Sequence, residues 1–148
     1  MSGRDHEALH AFIDARQAQP YAWGREANDC VGYVLGAVEA QTGIAAAAAA
    51  PWSNQREALR ALARIGGIEA GFDAYFDRVP PALARRGDIA GVIDQKLRLH
   101  VLVVEGATLV GPGETGNTRL PRSAMVMAWS ADSARPRVRR KAVMKQPR

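Results

Sequence analysis

Four side chains here are of the types that do nucleophilic or metal chemistry. They are Cys30, the only cysteine in 148 residues, and the three histidines, His6, His10 and His100. Cys30 follows Asn28-Asp29 and precedes an apolar run that predicts a helix, which puts its thiol at a helix N-terminus. Unpaired N–H groups and the helix dipole carry partial positive charge there and stabilise a thiolate. A histidine beside it would serve as ion-pair partner and general acid/base. His100 opens the strongest predicted strand and could project across a cleft toward that terminus. Without such surroundings, a lone cysteine is a small apolar residue of the kind that cores bury.

The other two histidines form His6-Glu7-Ala8-Leu9-His10, which matches H-E-x-x-H with both imidazoles on one helical face. Zinc hydrolases need a third ligand and a sheet edge beside such a helix. Here the third ligand would have to be a distant carboxylate or His100. We therefore expect two exposed histidines on a terminal helix, with no metal and no other cofactor.

Several elements must position these groups. Residues 5–18 predict a short amphipathic helix, with Leu9, Phe12 and Ile13 on one face and Asp5 as cap. Asp29 is the expected N-cap of a second, largely apolar helix to about Gln41, stopped by Gly43. Ala45–Ala50 reads as a helical turn or loose connector, because Pro51 bars a helical interior. Residues 54–65 predict a third helix, capped by Asn54 and ended by Gly66-Gly67. A short helical piece follows within 67–77. Beyond Pro80-Pro81 the texture changes. Arg86-Gly87-Asp88 reads as a turn, and Ile89–Ile93, Leu97–Val104, Thr108–Val110 and Met125–Trp129 read as strands. Helices first and strands afterwards predict an α+β domain, with helices packed on a small antiparallel sheet. Trp23, Trp52 and Trp129 are most simply packing residues, Trp23 as a cleft wall.

Composition narrows the classes. Apolar residues make up 47% and charged residues 24%, the balance of a globular chain rather than a disordered one. One cysteine excludes an internal disulfide framework and a Cys-rich zinc ribbon. No apolar run reaches the roughly 18 residues of a membrane helix. The start, MSGRDHEALHAF, lacks the basic-then-apolar pattern of a secretory signal, so we expect cytoplasmic synthesis without signal-directed export. The net charge of +5 is unevenly placed. Residues 135–148 hold seven Lys/Arg and no acid, while the rest holds 13 basic and 15 acidic side chains. We expect one domain over 1–134 and a flexible basic extension over 135–148, suited to an acidic partner.

Pro20-Tyr21-Ala22-Trp23-Gly24, a short loop and Asn28-Asp29-Cys30-Val31-Gly32-Tyr33-Val34 resemble the P-Y-x-W-G-G and D-C-S-G-F-V blocks of NlpC-type cell-wall peptidases. Arg86-Gly87-Asp88-Ile89 resembles their Gly-Asp turn, and His100-Val101-Leu102-Val103-Val104-Glu105-Gly106 their histidine strand. The same halves resemble the CHAP amidohydrolases, and both families are papain-like. The resemblance spans about Pro20 to Gly106. It departs at Val31, where the family has Ser, at Leu102, where it has a small residue, and at Pro112, where its third catalytic residue falls. Small proteins of phage and prophage tail-gene clusters look similar.

The resemblance implies a papain-like α+β fold and a cysteine-dependent amide hydrolase acting on peptidoglycan peptides. Cys30 would be the nucleophile and His100 the base. Glu114, ahead of Asn117, would be the group that orients the imidazole. Tyr21, Trp23, Asn28 and Asp29 would form the substrate and oxyanion side, together with the Cys30 N–H. It also implies a virion-borne, tail-associated setting with other tail proteins as partners. The alternative is a catalytically silent structural tail-tip or tail-assembly protein on the same fold.

Overall fold

The computed structural model describes residues 4–24, 27–45, 52–95 and 98–135. Four α-helices lead the described chain: α1 (His6–Ala15), α2 (Cys30–Thr42), α3 (Gln55–Ile65) and α4 (Ile68–Tyr75). Side chains cap three of them as the sequence predicts. Asp5 accepts from Ala8 N, Asp29 from Gly32 N and Asn54 from Glu57 N. Gly43 and Gly66 end α2 and α3 in the left-handed conformation, at φ 78° and 93°. The Ala-rich connector lies outside the described residues from position 46 onward. So does the basic extension from 136. Arg135 still belongs to the body, where it pairs with Asp77 at 3.0 Å and donates its backbone N–H to Tyr75.

Six strands form one antiparallel sheet: β1 (Arg78–Val79), β2 (Ile89–Asp94), β3 (Arg98–Val104), β4 (Thr108–Gly113), β5 (Gly116–Pro121) and β6 (Met125–Trp129). Their order is β1-β6-β2-β3-β4-β5. The fold class is α+β. Strands β1 and β5 have no counterpart in the sequence reading. β1 has two residues, and β5 is a polar edge strand closed by Pro121, so neither shows an apolar pattern.

Alternation on β3 builds two cores. Leu99, Val101 and Val103 face the helices and join Val34, Val38, Phe72, Phe76 and Trp129. Leu102 and Val104 face the other way, with Ala90, Val92, Leu109 and Ala128. Val79 from one sheet edge and Leu120 from the other pack on this second cluster.

Candidate functional site

The α2 N-terminus is held by a buried carboxylate. Asp29 Oδ1 accepts the Gly32 N–H at 2.8 Å, capping the helix. Its Oδ2 accepts the Gly24 N–H at 3.1 Å and the Trp52 Nε1–H at 2.6 Å. One side chain thus fixes the helix start, the loop before it and the segment leading to α3. Asn28 braces the same loop, donating to the Gln19 and Pro20 carbonyls and accepting from Arg16. Both Asn28 and Asp29 are buried, so they shape the site from behind.

The opposite wall comes from a split in the sheet. β4 pairs with β5 along its whole length, but with β3 only at Val103↔Val110 and Val104↔Leu109. Beyond Val110 the β4–β5 hairpin leaves β3. Pro112, which has no N–H, lies in that unpaired stretch. The hairpin end is instead tied to the segment after α1. Tyr21 N donates to Gly113 O at 2.7 Å and Asn117 N to Gln17 O at 3.1 Å. A cavity of about 330 Å³ fills the opening, and Tyr21, Trp23, Cys30, Asp94 and His100 line it.

Cys30 belongs to the helix-side core, whereas His100, by alternation with Leu102 and Val104, sits on the other face of β3. The open edge of β3 lets both reach one cavity. The register supplies a third group. Val92 pairs with His100 and Asp94 with Arg98, so Asp94 is a diagonal neighbour of His100. Its Oδ1 stands 3.7 Å from His100 Nδ1. Asp94 was not among the residues singled out from sequence. A carboxylate six positions before a histidine, just past the end of one predicted strand and a short turn ahead of the next, was the available signal.

Cys30 is 5% exposed. Burial is the main cause that pushes its thiol up to about 11. A backbone hydrogen bond from Val101 works the other way, the Asp29 charge raises it further, and the Tyr21 hydroxyl lowers it. Tyr21 is itself raised, first by burial, with its hydroxyl set against both the thiol and the backbone of Cys30. Its ring meets Trp23 edge-on, centroids 5.2 Å apart. Among the described residues no hydrogen bond joins the Cys30 sulfur to the His100 ring.

The structure thus brings Cys30, His100, Tyr21 and Trp23 together. It does not bring Glu114, which is exposed on the β4–β5 turn between Gly113 and Gly116. Asn117 is committed elsewhere: it accepts from Tyr33 Oη at 2.9 Å and donates to Ile13 O at 2.9 Å. The carboxylate beside the imidazole is Asp94. His6 and His10 are exposed on α1, and no group of three or more His, Cys, Asp or Glu among the described residues is placed to hold a metal ion. No helix among them is long and apolar enough to cross a membrane.

A family model described as "Domain of unknown function (DUF6950)" matches residues 3–131. No curated protein matches the chain.

Proposed function

The chain belongs to the DUF6950 family, and we propose that this member is a papain-like, NlpC-type cysteine amide hydrolase acting on peptidoglycan peptides. The observation that carries the reading is the shared cavity. It holds a thiol at a capped helix N-terminus, an imidazole from an adjacent strand and a carboxylate against that imidazole. In the reaction the Cys30 thiol gives its proton to His100 as the sulfur attacks the amide carbon. The oxyanion forms beside the Cys30 N–H and the Tyr21 hydroxyl. Collapse expels the amine, which takes the proton from His100 and leaves a thioester. Water, deprotonated by His100, hydrolyses the thioester and restores the thiol. Asp94 orients the imidazole through Nδ1, the part that the resemblance implied for Glu114. The similarity to small tail-cluster proteins extends the proposal to delivery on a phage or prophage tail.

Release of soluble fragments from purified peptidoglycan by the full chain, compared with Cys30→Ala, tests this. Wild type is expected to release them and the variant to release none. Equal release would reject the hydrolase.

One observation favours a second reading. The sulfur is buried and its thiol is pushed up to about 11, away from a resting thiolate. A structural tail protein that retains the fold without turnover fits that state, and wild type without activity on peptidoglycan would support it.

A further inference from the structure

The cavity walls away from the reacting groups are apolar apart from Thr118. Leu102, beside His100 on β3, and Pro112 and Leu120, on the hairpin across the split, line it, as does Trp23. Leu102 is fully packed in the second core and Leu120 rests on the same cluster, so the wall is anchored rather than loose. Gly111 keeps it flat. A Cβ added there would stand 3.2 Å from Leu102 Cγ, closer than ordinary contact. The volume, about 330 Å³, is at the lower end for ligand pockets. It suits one side chain and the bond beside it.

We propose that this cavity receives an apolar side chain, that of the residue whose carbonyl Cys30 attacks. The assignment rests on the hydrolase reading above and narrows its substrate to amides of apolar acyl residues. Two physical reasons carry it. An apolar side chain seated on Leu102, Pro112 and Leu120 gains by leaving water. A carboxylate there would lose its hydration against hydrocarbon, with no hydrogen-bond donor from Leu102, Pro112 or Leu120 to replace it. Leu120 is then the residue that sets specificity. It is half-buried and lies on an edge strand, so it can be replaced with little cost to the core.

The test compares two small amides with one leaving group, the 4-nitroanilides of N-acetyl-leucine and N-acetyl-glutamate, on the full chain and on Cys30→Ala. Expected is Cys30-dependent turnover, with kcat/KM for the leucyl amide about 10- to 100-fold above the glutamyl amide. Leu120→Lys should narrow or invert that ratio by placing a cation on the wall. Thr118→Lys, at an exposed position lining the same cavity, provides the same reversal if Leu120→Lys fails to fold. Cys30-dependent turnover with the glutamyl amide equal or preferred would overturn the assignment and leave the hydrolase standing.

Binding separates the remaining cases. A change in tryptophan fluorescence of Cys30→Ala on adding N-acetyl-leucinamide or N-acetyl-glutamate amide, lost when Trp23→Phe is added, reads occupancy without chemistry. Leucinamide bound and glutamate amide excluded, with no turnover in wild type and no release from peptidoglycan, would keep the cavity as a site for an apolar side chain and remove both the hydrolase and the attack on the neighbouring carbonyl. Neither amide bound, with no turnover, would overturn the assignment.

Discussion

The Cys30 thiol starts neutral, because the fold buries it more strongly than the Val101 and Tyr21 hydrogen bonds stabilise its anion. Proton transfer to His100 then belongs to the attack itself and not to a standing ion pair. The sign of the linkage follows. A thiol raised from about 9 when exposed to about 11 in the fold adds stability that is fully present below about pH 9. That stability, about 3 kcal/mol, is lost as pH rises through 11. Urea titrations at pH 8 and pH 11 should show wild type losing more stability than Cys30→Ala. Equal losses, or iodoacetamide alkylation that levels off below pH 7, would contradict a neutral resting thiol. Asp94 makes a second expectation at this scale. If it orients the imidazole, Asp94→Asn lowers kcat tenfold or more, about 1.4 kcal/mol, with little change in KM. Glu114→Gln, on the exposed turn, leaves both constants within about twofold. The reverse pattern would return the orienting role to Glu114. Cys30, His100, Tyr21 and Trp23 were legible because each sits in a local motif. Asp94 was not, since its place depends on the β2–β3 register and not on any neighbour in sequence.

Elements position these groups through Asp29 above all. The caps of α1, α2 and α3 look alike in sequence, and all three form. Their surroundings differ. Asp5 and Asn54 are exposed, and each cap bond serves one backbone N–H. Asp29 is buried and serves Gly32 N, Gly24 N and Trp52 Nε1 at once. Replacing it leaves three donors with no acceptor in a dry environment, each costing about 1–3 kcal/mol. Asp29→Ala should therefore destabilise the protein by about 3–5 kcal/mol. Asp5→Ala and Asn54→Ala should each cost about 1 kcal/mol, as read from urea midpoints. Three similar losses would mean that Asp29 is a cap and no more. The helix termini were legible for this reason: capping chemistry is local. The Trp52 contact was not, because 23 positions and an Ala-rich connector separate it from Asp29. The split between β3 and β4 was equally hidden, since it rests on tethers from Gly113 and Asn117 to the segment after α1.

At the scale of the whole molecule, the order of helices before strands was enough to predict an α+β class, because amphipathic and alternating patterns are properties of the segments themselves. It could not give the strand order, which depends on contacts between distant segments. One such contact closes the chain. The Gly87-Asp88 turn was legible as a turn, and Asp88 does accept the local Arg85 N–H at 2.7 Å. It also accepts the Ala131 N–H at 2.9 Å and pairs with Arg4 at 2.6 Å, both side chains of the pair nearly fully buried. Arg4 reaches on to Asp132 and to the Arg86 carbonyl. The segment before α1, the entry to β2 and the segment after β6 therefore meet at one carboxylate. Removing Arg4 leaves a buried charge with two backbone donors and no cation, a change that typically costs about 3–5 kcal/mol. Arg4→Met should lower the urea midpoint accordingly. Arg85→Met, whose partner Asp132 is half-exposed, should cost under about 1 kcal/mol. The double variant Arg4→Met/Asp88→Asn should recover part of the Arg4→Met loss, since the buried charge goes with its partner. Loss in the double variant equal to the sum of the single losses would show that the segments before α1 and after β6 and the turn are fixed independently of that pair.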